Sequence, residues 1–130
     1  MDEQTLRNLL NLESEKSIGK IQIFDEIDST NSESLRQIQS GNIENRVVVA
    51  SSQTAGRGRR GRQWLSPKNA GIYLSLTRRF SMEANALQAL SLVTAISVVE
   101  ALYQLGAQGL HLKLPNYVLL ELTMQYVIIV

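Results

Sequence analysis

A helical repeat of apolar residues in the second half of the chain, bordered by short alternating segments, constrains the fold most. From about Ala84 to Leu105 the apolar residues recur every three or four positions, with Ser81 as a candidate N-cap and Gly106 as a candidate stop. Alternating or β-branched runs around this helix predict strands at residues 20–24, 46–51, 71–79, 110–114, 118–122 and 126–130.

A shorter helix is predicted after the first strand. Leu35 and Ile38 would face inward and Gly41 would end the helix, which follows four candidate N-caps in a row: Asp28, Ser29, Thr30 and Asn31. Residues 6–10 have the leucine spacing of another short helix. This succession of strands and helices, with hairpin-length connections, predicts an α+β fold with a mixed β-sheet flanked by helices.

Length and composition limit the classes of protein that fit. A chain of 130 residues predicts one domain that buries about two thirds of its unfolded surface. The absence of cysteine excludes a disulfide framework, a thiolate metal site and a cysteine nucleophile. The N-terminus is acidic and polar, unlike a signal peptide, and no apolar run reaches the length of a membrane span. We therefore expect a cytoplasmic protein without a membrane partner.

Positive charge is concentrated in one part of the chain. Residues 46–79 carry eight basic residues and no acidic one, whereas the whole chain has a net charge of +1. Four of the arginines lie in QTAGRGRRGRQW, residues 53–64, which we call the Gly/Arg segment. Its glycines permit close approach of the backbone to a ligand, and its guanidinium groups match phosphates and carboxylates. An anionic partner and a merely solvated surface both fit this pattern.

Two nucleotide-binding motifs resemble the Gly/Arg segment only in part. Gly56, Gly58 and Gly61 have the spacing of a dinucleotide-binding loop, but no helix start follows to hold a pyrophosphate. A P-loop would need lysine and serine or threonine where Arg62 and Gln63 stand. Arg-Gly tracts also bind nucleic acids, although such tracts usually occur in repetitive sequence that forms no β-strands. A non-catalytic module that binds anions or nucleic acid therefore stays an alternative.

Four short elements, in order and spacing, resemble the catalytic domain of biotin protein ligases. They are DSTN at 28–31, QTAGRGRRGRQW at 53–64, GIYLSL at 71–76 and LKLPN at 112–116. The resemblance implies a domain similar to the class II aminoacyl-tRNA synthetase and biotin synthetase-like fold. We expect residues 1–19 to be a short helical lead-in and residues 20–130 to be the N-terminal portion of such a domain. A lipoate–protein ligase relative stays a further alternative.

The resemblance also implies an activity, its cofactors and its partners. Such ligases activate biotin with ATP and Mg²⁺ as biotinyl-5′-AMP and then transfer it to a lysine of a biotin carboxyl carrier protein. The Gly/Arg segment would close over the adenylate and keep water away from the anhydride. Magnesium would arrive with ATP, and we expect no protein metal site, no specific nucleic-acid partner and, as an open possibility, a homodimer.

Site residues follow from the matched motifs. Arg57 and Arg59 would serve catalysis by neutralising carboxylate and phosphate. The resemblance assigns biotin binding to Ser29, Thr30, Asn31, Gln53, Arg57, Gly58 and Arg59. It assigns nucleotide binding to Arg57, Arg59, Arg62, Trp64 and Asn116. Helix capping is the alternative role for residues 29–31, and core packing is the alternative for Trp64.

The sequence departs from the family after Lys113. The family pattern Lys-Trp-Pro-Asn-Asp reads Lys113, Leu114, Pro115, Asn116 and Tyr117 here. Met124 stands where the resemblance places a lysine that contacts biotin and the activated phosphate. We therefore expect ligase activity to be impaired in this chain.

Overall fold

The computed structural model describes residues 2–83, 86–113, 117–120 and 126–128. The chain divides into two compact units, residues 1–80 and 81–130. The first unit contains helices α1 (Glu3–Leu9), α2 (Leu12–Ser17) and α3 (Thr30–Gln39), and strands β1 (Lys20–Phe24), β2 (Arg46–Ala50), β3 (Gln53–Arg57), β4 (Gln63–Ser66) and β5 (Tyr73–Thr77). The second contains helix α4 (Leu90–Gln104) and strands β6 (Leu110–Lys113), β7 (Tyr117–Leu120) and β8 (Tyr126–Ile128).

A three-stranded mixed sheet forms the centre of the first unit. Strand β2 lies in the middle, parallel to β1 and antiparallel to β5. Its β-branched side chains explain that position, because Val47 and Val48 are buried and Val48 is fully inaccessible. Helix α3 packs against β2 and β5. The expected mixed sheet flanked by helices is therefore confirmed here, and the expected α+β class holds for the whole chain.

The parallel pairing of β1 and β2 positions the candidate site. Both strands end at the same edge of the sheet, where the N–H of Ser51 donates to the carbonyl of Phe24 at 3.0 Å. Strand β5 begins at this edge as well, because Tyr73 pairs with Ala50. The segments that follow β1 and β2, with their polar side chains, therefore leave the sheet together.

Helix α3 begins as predicted but buries a different face. Ser29 is its N-cap, and the Ser29 hydroxyl accepts from the N–H of Ser32. The prediction that Leu35 and Ile38 face inward is wrong, since they are 45% and 43% exposed. Thr30 and Ser34 are buried instead. They can be buried because both hydroxyls are hydrogen-bonded, Ser34 to the carbonyl of Thr30 at 3.0 Å and Thr30 to Gln53 at 3.2 Å.

In strand β5 the predicted alternation is confirmed, but the apolar set is the exposed one. Leu74 and Leu76 are 54% and 58% exposed. The alternate residue Ser75 points the other way, and its hydroxyl donates to Thr30 Oγ1 on α3 at 2.9 Å. Helix α3 therefore packs on the polar face of β5, and this hydrogen bond joins the two elements.

The second unit has a shorter helix than the periodicity predicts. Helix α4 begins at Leu90 without a side-chain cap, after a 3₁₀ turn over Ala86–Ala89, so Ser81 does not cap it. Gly106 ends the helix in the left-handed conformation, with φ 92°, as predicted. Strands β6, β7 and β8 form an antiparallel sheet that follows the predicted strands, which extend beyond it into residues outside those described.

Candidate functional site

The Gly/Arg segment folds as a β-hairpin rather than as the expected loop. Strands β3 and β4 pair antiparallel, with Gln53 opposite Ser66 and Gly56 opposite Trp64, and the register shifts between these two pairs. A 3₁₀ turn over Arg59–Gly61 forms the tip. The N–H of Gly58 donates to the carbonyl of Arg62 at 2.7 Å and closes the tip. The arginines are therefore carried by paired backbone.

Gly56 allows the two strands of the hairpin to approach closely. A β-carbon at this position would lie 2.5 Å from the carbonyl oxygen of Trp64 and 2.7 Å from Ser66 Oγ. Real β-carbons do not come so near to backbone oxygen, so a larger residue would force the strands apart. The glycine thus serves backbone packing, in addition to any contact with a ligand.

Gln53 connects three elements through one side-chain amide. Its Oε1 atom accepts from the N–H of Thr30 at 2.8 Å and from the Thr30 hydroxyl at 3.2 Å. Its Nε2 atom donates to Ser66 Oγ at 2.8 Å. One amide therefore joins the first turn of α3 to both strands of the hairpin, and the Ser75 hydroxyl bonded to Thr30 extends this network to β5.

Backbone pairing holds the 27–28 segment against β3. The N–H groups of Thr54 and Ala55 donate to the carbonyls of Ile27 and Asp28 at 2.9 and 2.8 Å. Ser29 and Thr30 follow directly, so the DSTN motif runs beside the strand that carries Gln53 and Arg57. The DSTN motif, which supplies hydroxyl groups, and the Gly/Arg segment, which supplies guanidinium groups, therefore lie on adjacent stretches of backbone.

An ion pair fixes the start of the DSTN motif to α3. Two nitrogens of Arg36 donate to the two oxygens of Asp28 at 2.7 and 2.8 Å. The N–H of Ser29 also donates to the Asp28 carboxylate at 2.7 Å. The Arg36 hydrogen bonds are the main cause that lowers the pKa of Asp28 to about 2. Asp28 is therefore ionised at neutral pH and acts as an anchor for the turn.

Arginines at the tip of the hairpin are open to an anion. Arg57, Arg60 and Arg62 form no ion pair within the part of the chain that the structure describes. Arg57 and Arg62 are exposed, and Trp64 on β4 is 38% exposed. Arg60 adopts a left-handed conformation with φ 58°, uncommon for a residue with a β-carbon. Always-charged forked donors without internal partners suit a carboxylate or phosphate.

The structure brings together most of the residues that the motifs single out. Thr30 is buried and belongs to the network, and Ser29 is buried and caps α3, whereas Asn31 is half-buried and makes no side-chain hydrogen bond to other described residues. Gly58 and Arg59 lie in the hairpin tip. Asn116 and Met124 fall outside the described residues. Ser66, Ser75 and Arg36 are the site residues that sequence reasoning missed, because strand register and helix packing alone reveal them.

An open cleft borders the network. It measures about 410 Å³ and is lined by Glu26, Ser52, Gln53, Leu65, Ser66, Pro67 and Lys68. Its size falls in the range of small-molecule sites. Among the described residues no cluster of three histidine or acidic side chains could hold a metal. No described helix is long and apolar enough to cross a bilayer.

Known proteins resemble this chain in sequence. A model of the biotin/lipoate A/B protein ligase family matches residues 23–122. The bifunctional ligase/repressor BirA of Salmonella typhimurium is 39% identical over 108 residues, which cover 81% of this chain and 32% of that protein. The biotin–[acetyl-CoA-carboxylase] ligase of Mycobacterium tuberculosis is 34% identical over 124 residues, covering 92% of this chain and 46% of that protein.

A solved structure shares the fold. The biotin protein ligase from Aquifex aeolicus, in complex with biotin and ATP, is 34% identical and has a TM-score of 0.63, over 78% of this chain and 41% of that one. The chain therefore spans less than half the length of these relatives. The likeness confirms the expected ligase-type fold. With the match over residues 23–122, it shows that the chain belongs to the biotin/lipoate A/B protein ligase family.

Proposed function

We propose that this chain carries the biotin- and adenylate-binding part of a biotin protein ligase. In the first step the biotin carboxylate attacks the α-phosphorus of ATP, giving biotinyl-5′-AMP and pyrophosphate. In the second, the ε-amine of a lysine on a carrier domain attacks the acyl carbon, and AMP leaves. Mg²⁺ would enter with ATP. The reaction would take place in the cytoplasm.

The observation that carries the proposal is the pair of hydrogen bonds from Thr30 to Gln53. These bonds hold a cluster of oriented donors and acceptors beside the strand that leads to the arginines of the hairpin. A ureido ring needs paired donors and acceptors, and Ser29, Thr30, Asn31 and Gln53 are of that kind. The relatives of this chain include a biotin protein ligase solved with biotin and ATP bound.

The arginines suit the other end of the substrate. Arg57, Arg59 and Arg62 would hold the carboxylate, the α-phosphate and the pyrophosphate, while Gly58 lets the backbone approach. Guanidinium groups always carry charge, and those of Arg57 and Arg62 form no ion pair with other described residues, so they can stabilise charge as it develops on the phosphate. Trp64, exposed on the neighbouring strand, would pack against the nucleotide, and Asn116 would complete the nucleotide contacts.

One family role has no matching side chain. Met124 cannot donate the charged hydrogen bond that a lysine would supply, and losing one such donor typically costs about 10²–10³ in rate. Tyr117, on β7 where the family pattern has an aspartate, removes a carboxylate as well. We therefore expect substrate binding to be retained more fully than turnover. A homodimer stays a prediction.

Calorimetry of the chain with biotin and with lipoate tests the proposal. We expect biotin to bind more tightly, and ATP to bind more tightly once biotin is present. Biotin-dependent exchange of pyrophosphate into ATP then measures the first step. If lipoate binds more tightly, the substrate assignment is wrong. If neither acid binds, the ligase-type site is not functional in this chain.

A further inference from the structure

We propose that Ser66 is a positioning residue for biotin recognition and acts by fixing the orientation of the Gln53 amide. The inference rests on the proposed function and adds to it a residue that the sequence motifs do not assign. Ser66 is the last residue of strand β4 and is 4% exposed, so few groups can reach its hydroxyl. One of these is Gln53 Nε2, at 2.8 Å.

The hydrogen bonds of the network have a fixed direction. Gln53 Oε1 accepts from both donors of Thr30, so the oxygen of the amide must face α3. The Nε2 group must then face β4, where Ser66 Oγ accepts. An amide can rotate by half a turn at little steric cost, which makes such partners the determinant of its orientation. The Ser66 hydroxyl donates its one proton to the carbonyl of Trp64 at 3.4 Å, so towards Gln53 it acts as an acceptor and disfavours the second orientation of the amide from one end, as Thr30 does from the other.

Close packing reinforces the arrangement. The space that a β-carbon on Gly56 would occupy lies 2.7 Å from Ser66 Oγ and 3.2 Å from Gln53 Nε2. Three residues thus meet at one point of the hairpin, where the register of β3 and β4 shifts. Replacing Ser66 by alanine leaves the Nε2 group without this acceptor and the amide with less restraint. The Gln53 amide, which would recognise the ureido ring of biotin, would then lose its fixed orientation.

Ser52 provides a matched control. It is 5% exposed, lines the same cleft and precedes Gln53 in the chain. Its hydroxyl bonds elsewhere, to the carbonyl of Asp25 at 3.2 Å and to Glu26 Oε2 at 3.3 Å. Ser52→Ala therefore removes an equally buried hydroxyl from the cleft wall without touching the Gln53 amide.

The first measurement needs no ligand. In ¹⁵N NMR spectra of the free chain, we expect the side-chain NH₂ signals of Gln53 to move in Ser66→Ala and to stay in place in Ser52→Ala.

The second measurement is biotin binding by calorimetry. Ser66→Ala should lower the affinity for biotin about tenfold, which is a usual effect of leaving a buried polar group without its hydrogen-bond partner. Ser52→Ala should lower it less than about twofold. In a Gln53→Ala background the Ser66→Ala loss should vanish, because Ser66 acts through Gln53.

Unchanged Gln53 signals in Ser66→Ala, or equal biotin affinities in the two alanine variants, would overturn the inference while the proposed function stands. A wild-type chain that binds no biotin would overturn both. Should Ser66→Ala fail to fold, Ser66→Cys keeps a weak acceptor of similar shape, and a smaller loss of the same kind is expected. A Ser66→Cys variant whose Gln53 signals and biotin affinity both equal those of the wild type would count against the inference.

Discussion

Thr30 donates both its backbone N–H and its hydroxyl to a single atom, Oε1 of Gln53, at 2.8 and 3.2 Å. The bond from the N–H satisfies one of the donors that the first turn of α3 leaves without an intrahelical partner. Gln53 therefore has a structural role as a cap, besides the biotin contact that the motif implies. A loss of activity in a Gln53 variant must be separated from a loss of helix stability.

Gly56→Ala tests the close approach of the hairpin strands. The added β-carbon would lie 2.5 Å from the Trp64 carbonyl oxygen, so the strands must separate. We expect the free energy of unfolding to fall by about 1–3 kcal/mol, the usual effect of overpacking, as measured by urea denaturation. Gly71→Ala is the control, because its β-carbon would meet only Tyr73 ring atoms at ordinary distances from 3.5 Å. Equal stability of the two variants would contradict the packing assigned to Gly56.

Arg36→Met tests the anchor at Asp28. The pKa of Asp28 is lowered from 3.8 to about 2 in the folded chain, so the ion pair stabilises the fold above about pH 4, and this contribution is lost as the pH falls towards 2. Without Arg36 the pKa should return towards 3.8, and this part of the acid sensitivity should disappear. The overall effect on stability should be small, because both side chains are nearly half exposed and solvent screens them.

Carboxyl ¹³C NMR of Asp28 over this pH range gives the pKa directly. Arg79→Met is a suitable control, since it removes the same charge from the same unit without a hydrogen bond to Asp28. An Asp28 pKa that stays near 2 in Arg36→Met would show that the Ser29 N–H, rather than Arg36, governs the carboxylate.

Arg57→Met tests the anionic end of the site. Because Arg57 forms no ion pair with the other residues that the structure describes, its removal should cost the fold little and ligand binding more. We expect affinity for a non-hydrolysable biotinyl-adenylate analogue to fall about tenfold or more, and affinity for biotin alone to fall less. Arg57→Lys should restore it only in part, because lysine lacks the planar fork. Equal losses for the analogue and for biotin would move Arg57 away from the phosphate.

The remaining alternative, a module that binds nucleic acid, makes a different prediction. If the exposed arginines bound DNA or RNA, affinity would fall steeply with salt as counterions are released. We expect weak, non-specific binding near physiological salt, measured by fluorescence anisotropy with labelled single strands. A site of sub-micromolar affinity that survives this salt would favour the nucleic-acid function over the ligase function.

Local patterns predicted most of the elements and fewer of the contacts. The strand at Arg46–Ala50 and the cap at Ser29 follow from β-branched residues and from a hydroxyl before a helix, which act over a few positions. The hairpin at residues 53–66 has no apolar alternation, so its pairing depends on Gly56 and on the Gln53–Ser66 contact. The prediction that Leu35 and Ile38 face inward fails because the apolar pattern cannot show that buried hydroxyls on the opposite face of α3 find hydrogen-bond partners.

The candidate site was predictable where a motif carries it. Thr30 and Gln53, which belong to two of the matched motifs, meet because parallel β1 and β2 end at one edge. Ser66 and Ser75 lack such a signal. Each is a single serine in a strand, and only the register of β3 with β4 and the packing of α3 on β5 brings it to Thr30 or Gln53.

The hydrogen bonds of Thr30 also bear on the order in which the chain folds. They join Thr30 to Gln53, 23 residues away, and to Ser75, 45 residues away. Closing such long loops costs entropy before the new contacts offset it, so we expect these bonds to form late in folding. During synthesis, the arginines of the hairpin leave the ribosome before the strand that completes the network. A nascent chain therefore exposes these arginines before it has a folded site that can bind a ligand selectively.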